Sequence, residues 1–133
     1  MIAGLDTNLL VRWLLEDDEE QTARTQRLFK VARANQATLF VPGTVVLELE
    51  WVLRSRYRID KATVLQTFTA LLETQELDFQ MEAGLERALH LYRQGAAEFA
   101  DCMHAGLCSA GGNGPLLTFD QKAARLPDVQ LLD

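Results

Sequence analysis

The chain has 133 residues, of which 48% are hydrophobic and 24% charged, and a net charge of −6. These values suit one soluble globular domain, residues 1–133, with a single core, and exclude a disordered or fibrous chain. The acidic balance argues against a passive nucleic-acid binder held by a broad basic surface, though not against an enzyme that meets a phosphate through bound cations.

In chain order, Ile2 to Leu5 reads as a short buried strand that ends abruptly in Asp6. Thr7 and Asn8, as helix-capping residues, then introduce a short helix, Asn8 to Glu16, with Leu9, Leu10, Trp13 and Leu14 as its apolar face. Asp17 or Asp18 caps a second helix with acids first (Glu19, Glu20) and bases later (Arg24, Arg27, Lys30, Arg33), the order that suits the helix dipole. Thr38 to Val41 is a second strand, and Pro42-Gly43-Thr44 opens a third helix, Val45 to about Arg54. Asp60 caps a fourth, Lys61 to Gln75, and Leu77-Asp78-Phe79 is a short strand. Met81 to Gln94 is a fifth helix with Leu85, Ala88, Leu89 and Tyr92 inward, and Glu98 to Ala110 a sixth, ended by Gly111-Gly112-Asn113-Gly114. The strand Leu116 to Phe119 runs into Asp120, a short helix follows from Gln121 to Leu126, and Val129 to Leu132 is the last strand. Strands alternating with helices predict an α/β fold with a parallel sheet.

Cys102 and Cys108 form no CxxC pair, and His90 and His104 have no Cys or His at zinc-finger spacing. The cysteines read as small packing residues, the histidines as structural, and the chain as a reduced, cytoplasmic protein. Asp6 and Arg12 interrupt the only apolar N-terminal stretch, which argues against a signal peptide, and no run approaches the ~18 apolar residues of a membrane span.

The acids carry the chemistry. Asp6 and Asp120 each stand at the carboxyl end of a strand, where open α/β sheets place their ligands. On the third helix Glu48 falls among Val45, Leu49 and Val52, while Glu50 lies roughly 200° away and is expected to face solvent or a partner. An acid in an apolar stripe is costly to bury unless it is paired or metal-bound, so Glu48 requires a reason. On the sixth helix Glu98 and Asp101 share a side with Ala105 and Cys108. Oxygen-only ligands of this kind suit Mg²⁺ or Mn²⁺. No phosphate loop or nucleophile–base motif is present, and acids alone are most compatible with metal-assisted hydrolysis of a phosphate ester by a metal-bound water.

Leu5-Asp6-Thr7-Asn8, Leu47-Glu48-Leu49 with Trp51-Val52-Leu53, Glu98-Phe99-Ala100-Asp101 and Thr118-Phe119-Asp120 together resemble the PIN-domain signature, in order and across essentially the whole chain. The resemblance is closest to bacterial toxins of the VapC type. It implies a three-layer α/β/α sandwich with a short, mostly parallel central sheet, and a Mg²⁺- or Mn²⁺-dependent endoribonuclease. It further implies a homodimer neutralised by a VapB-type antitoxin. Asp6, Glu48, Asp101 and Asp120 match the family's core acids, and Thr7, Asn8 and Thr118 its supporting polar residues. The family often has Asp where Glu98 stands, so this longer side chain is a further candidate ligand rather than a matched one.

Arg12, Arg54, Arg56, Arg58, Lys61, Lys122 and Arg125 are the basic residues placed to meet an RNA backbone. Trp13, Trp51 and Phe99 have the spacing of packing or dimer contacts rather than of base-stacking platforms. Two other readings compete: a catalytically silent PIN-like scaffold for a partner protein, and a small-molecule phosphatase. Four intact acids weigh against the scaffold, which has no physical need to pool them. The apolar character of the third helix on nearly every side, through Val46, Leu47, Trp51 and Leu53, is the sequence's own argument for a dimer.

Overall fold

A computed structural model describes residues 3–133; Ile2, the expected start of the first strand, lies outside them. The described chain forms two compact units, one ending at Gln80 and the other running from Met81 to Asp133.

The first unit contains β1 (Ala3–Gly4), α1 (Thr7–Leu15), α2 (Glu19–Ala34), β2 (Leu39–Val41), α3 (Gly43–Ser55), α4 (Lys61–Leu72) and β3 (Leu77–Phe79). Its three strands are parallel in the order β1-β2-β3, with Ala3 opposite Leu39 and Leu39 opposite Leu77. Parallel neighbours need long crossovers, and the helix pairs α1–α2 and α3–α4 supply them. Leu39, Val41, Leu77 and Phe79 are buried beneath those helices' own core residues, among them Leu10, Phe29, Leu49, Leu53 and Phe68. Asp18 and Asp60 cap their helices as expected, accepting from the Gln21 N–H at 2.9 Å and the Thr63 N–H at 2.8 Å. Helix α3 follows Pro42 and has no side-chain cap of its own; Gln80 Oε1 accepts from the Gly43 N–H at 2.8 Å instead. Beyond the other end of the sheet, Glu76 is buried and accepts from Arg33 Nε at 3.0 Å.

The second unit contains α5 (Glu82–Gln94), α6 (Phe99–Ala110), β4 (Leu116–Thr118), a 3-10 turn (Ala123–Arg125) and β5 (Val129–Leu131). Leu85, Ala88, Leu89 and Tyr92 are buried as expected, and the Tyr92 ring meets Phe99 at 5.2 Å between centroids. The two helices approach backbone to backbone: a Cβ on Gly106 would stand 2.5 Å from the Gly84 carbonyl oxygen and 2.9 Å from the Ala88 nitrogen. Strands β4 and β5 form a separate parallel pair with Leu116 opposite Val129. The expected helix from Gln121 to Leu126 is reduced to one 3-10 turn, because Pro127 holds Leu126 in an extended conformation. The last strand residue is Thr118, and Phe119 turns outward with 81% of its surface exposed. Among the described residues no helix is long and apolar enough to cross a membrane.

Candidate active site

In the first unit the chain leaves β1 through buried Leu5 and turns into α1 at Asp6. Asp6 is the N-cap: its Oδ1 accepts from the Leu9 N–H at 3.1 Å, and its carboxylate stays exposed at the strand end. The neighbouring Thr7 is buried, and its hydroxyl donates to Glu48 Oε1 on α3. One short hydrogen bond thus ties the acid of α3 to the residue beside Asp6. Asn8 is exposed and lines a cavity with Asp6.

Glu48 therefore reaches the expected neighbourhood by a different route from the one its helical phase suggested. It is exposed, and Glu50 is the buried acid, at 3%. The inward face of α3 is Val46, Leu49, Glu50, Val52 and Leu53, its centre rotated by roughly 65° from that of the face Val45-Leu49-Val52 at ~100° per residue. Glu50 is paired with Arg54, whose Nε donates to it at 2.7 Å and Nη2 at 3.4 Å. Burial of an acid among apolar residues thus marks an ion pair here rather than a ligand. The same contact engages Arg54, one of the basic residues that the sequence offers to an RNA backbone. It also removes two members of the apolar set offered for a dimer, because Val46 and Leu53 are each 1% exposed.

In the second unit Asp101 is half-buried in the first turn of α6, and Glu98 is the exposed N-cap residue without a side-chain cap bond. Asp120 lies just past β4, where its Oδ1 accepts from the Lys122 N–H at 2.8 Å and the Ala123 N–H at 3.1 Å. Thr118 Oγ1 accepts from the Asp120 N–H at 3.0 Å, which fixes the carboxylate's backbone from the preceding strand. Thr7 thus bonds the Glu48 carboxylate itself, and Thr118 the backbone of Asp120.

The PIN domain family model matches residues 4–129, a span that takes in both strand-end acids and the acids of α3 and α6. The chain belongs to the PIN-domain family. A VapC ribonuclease from Aquifex aeolicus is 22% identical over 122 residues, covering 92% of this chain and 90% of that protein. Among solved structures, VapBC2 from Rickettsia felis bound to a DNA fragment from their promoter aligns over 99% of this chain and 98% of that one, at 17% identity and a TM-score of 0.39.

Within this PIN domain the other expected residues take varied places. Arg56, Arg58, Lys122 and Arg125 are exposed, and Lys61 is half-buried. Trp13 stacks on Phe29 at 3.8 Å and 4°, and Phe99 is buried, so both pack; Trp51 is 52% exposed on α3. Cys102 is buried and Cys108 half-buried, while His90 and His104 are exposed. Arg12 is held by Gln21, at 2.7 Å from Nε, and by Asp17, at 3.0 Å from Nη1. A hydrogen bond with Tyr57 raises its pKa above the ordinary value, burial opposes this, and Asp17 adds to the rise.

Gln21, Arg24 and Tyr57 were not singled out from the sequence. Gln21 and Arg24 are one turn apart on α2 and line the cavity next to Asp6, while Tyr57 donates to Asp17 at 2.9 Å. The spacing of Gln21, Arg24 and Thr25 was the available signal, masked by reading that helix only for its dipole.

Among the described residues no three Asp, Glu, His or Cys side chains surround one metal position. The Thr7-linked pair, Asp6 and Glu48, still offers the donor chemistry of a hard divalent cation. Mg²⁺ is commonly held by one or two carboxylates and completes its shell with water and substrate oxygens.

Proposed function

We propose that this PIN domain is a metal-dependent endoribonuclease of the VapC toxin type, acting on RNA phosphodiester bonds. The observation that carries the reading is the Thr7 hydrogen bond, which ties exposed Glu48 to the residue that follows exposed Asp6 at the end of a parallel strand. An exposed carboxylate pair has no structural need for that bond, whereas a metal-binding pair requires fixed ligand orientation. The likeness to the VapC ribonuclease supports the substrate class.

In this reading Asp6 and Glu48 hold Mg²⁺ or Mn²⁺, and the same role is assigned to Asp101 and Asp120 of the second unit, with Glu98 as a further candidate. When bound, such a cation supplies charge screening at the phosphate and a nucleophilic water at neutral pH. Thr7 orients the Glu48 carboxylate, Thr118 fixes the backbone of Asp120, and Asn8 adds a polar wall beside Asp6. Arg12, Arg56, Arg58, Lys61, Lys122 and Arg125 are the cations offered to the RNA backbone; Arg54 serves Glu50 first. A VapB-type antitoxin as partner, a cytoplasmic setting and a homodimer belong to the same reading. Trp51 and half-buried Leu47 are the apolar groups that α3 leaves for a dimer.

Cleavage of RNA with Mn²⁺, beside a generic phosphate ester and with excess EDTA, tests it. RNA cleavage that EDTA abolishes is expected, and Asp6→Asn should lose it while staying folded, because Asn is also a favoured N-cap residue. Cleavage undiminished in EDTA, or at the normal rate in Asp6→Asn, overturns the metal mechanism. Hydrolysis of the ester alone would favour a phosphatase.

A further inference from the structure

Beside Asp6, and wholly within the first unit, α1 and α2 border a cavity of about 260 Å³ lined by Asp6, Asn8, Arg12, Gln21, Arg24 and Thr25. It falls just below the ~300–1,000 Å³ of pockets that enclose drug-sized ligands, a size for one nucleotide unit rather than a folded RNA element. Two guanidiniums against one carboxylate leave its lining net positive, in a chain whose total charge is −6. The acids that partner the arginines, Asp17 and Glu20, are not part of the lining.

The two arginines are held differently. Arg12 is clamped by Gln21 and Asp17, and Asp17 is itself fixed by the Tyr57 hydroxyl, so this guanidinium keeps one orientation. A guanidinium has five donors, more than those protein partners occupy. Among the described residues Arg24 pairs with Glu20, one turn earlier on α2, and both side chains are mostly exposed, at 65% and 74%. Such a surface pair is weak and screened by water, and a phosphate offers the fork a stronger bidentate partner.

Resting on the nuclease reading, we infer that this cavity is a backbone-phosphate subsite for single-stranded RNA. Arg24 grips a phosphate neighbouring the one at Asp6, and rigid Arg12 sets the wall against which the strand lies. The subsite fixes the path of the strand past the acids, which makes Arg24 a positioning residue rather than a catalytic one.

The test reads binding apart from cleavage. A short fluorescent single-stranded RNA is titrated by anisotropy in EDTA, with every variant built on Asp6→Asn so that the RNA stays intact and the repelling carboxylate is gone. Arg24→Gln should weaken binding at least about fivefold and flatten the slope of log Kd against log salt by about 0.7, the share of one phosphate on a single strand. Arg27→Gln, which removes the same charge from an exposed site on α2 outside the cavity, should change Kd less than about twofold. Glu20→Gln should tighten binding by releasing Arg24. Equal losses in Arg24→Gln and Arg27→Gln, an unmoved Kd in Arg24→Gln, or no binding by the parent would overturn the subsite. Absence of cleavage by the wild-type chain in Mn²⁺ bears on the nuclease reading alone.

Discussion

Replacing Glu50 by Gln keeps the side chain's shape and removes a charge that is 3% exposed and bound twice by Arg54. Breaking a fully enclosed ion pair costs ~3–5 kcal/mol, because the remaining charge has no partner. Here the Arg54 side chain is 38% exposed, so water can reach the guanidinium after Glu50's charge is removed, and the new amide oxygen can still accept one hydrogen bond. The discounted loss is about 1.5–3 kcal/mol, the usual range for hydrogen bonds to charged groups. At ~2 kcal/mol per molar urea this lowers the unfolding midpoint by roughly 1 M. Glu48→Gln, at an exposed position, should stay within about 0.5 kcal/mol of wild type. Activity should rank the other way: Glu48→Gln loses about a hundredfold or more of Mn²⁺-dependent RNA cleavage, and folded Glu50→Gln stays within a fewfold. Urea unfolding followed by circular dichroism, beside cleavage at equal protein concentration, reads both axes. A Glu50→Gln protein as stable as wild type, or one fully folded and inactive while Glu48→Gln cleaves normally, would refute this division of labour.

Gly106→Ala should destabilise the protein by about 1–3 kcal/mol or more, since the added methyl meets backbone at 2.5 Å and 2.9 Å rather than a flexible side chain; a melting temperature equal to wild type would contradict it. Hydrogen bonds from the Thr63 hydroxyl and then the Thr63 N–H hold the Asp60 carboxyl below its ordinary pKa. Its stabilising contribution is therefore present above an unfolded value near ~3.9 and is lost as pH falls through the lower folded value. Asp60→Asn should accordingly be the less stable protein near neutral pH, with the gap closing below about pH 4; a gap independent of pH would exclude the assignment. A homodimer is expected by light scattering at micromolar concentration, and Trp51→Ala, at the exposed apolar position of α3, should weaken it; a strictly monomeric mass for the wild type removes that part of the reading.

The features that could be read from residues alone were those set by local chemistry. Asp18 and Asp60 announce helix starts because a carboxylate before an apolar-periodic segment satisfies orphan N–H groups wherever the segment lies, whereas at α1 the cap is Asp6, just before the Thr7 and Asn8 that the sequence offers. Leu85, Ala88, Leu89 and Tyr92 were legible because Glu86, Arg87, His90 and Arg93 leave one main apolar phase for α5, with buried Leu91 to one side of it. Helix α3 had no such contrast. With Val45, Val46, Leu47, Leu49, Trp51, Val52 and Leu53 apolar, several faces compete, and only tertiary packing chooses among them. The signal that would have found the buried acid was Arg54, four residues after Glu50. Phe119 failed for a related reason: the apolar run continues through it, but the strand ends at Thr118, whose hydroxyl takes the Asp120 N–H. The motif acids were found through their order along the chain, which a family preserves and periodicity does not encode. The cavity at Arg24 required two helices to be placed side by side, and no single segment contains that information.

The close approach of Gly84 and Gly106 has a consequence for genetics. Both positions are buried, and at Gly106 a single methyl group would strike the facing backbone. If the chain is toxic to its host, a survival selection for harmless variants would recover changes at these glycines as readily as changes at Asp6 or Glu48. A map of intolerant positions would then draw α5 and α6 as though they carried reaction chemistry at their crossing. Scoring each escape variant for soluble, folded protein separates the two classes, since the acid variants accumulate intact and the glycine variants do not.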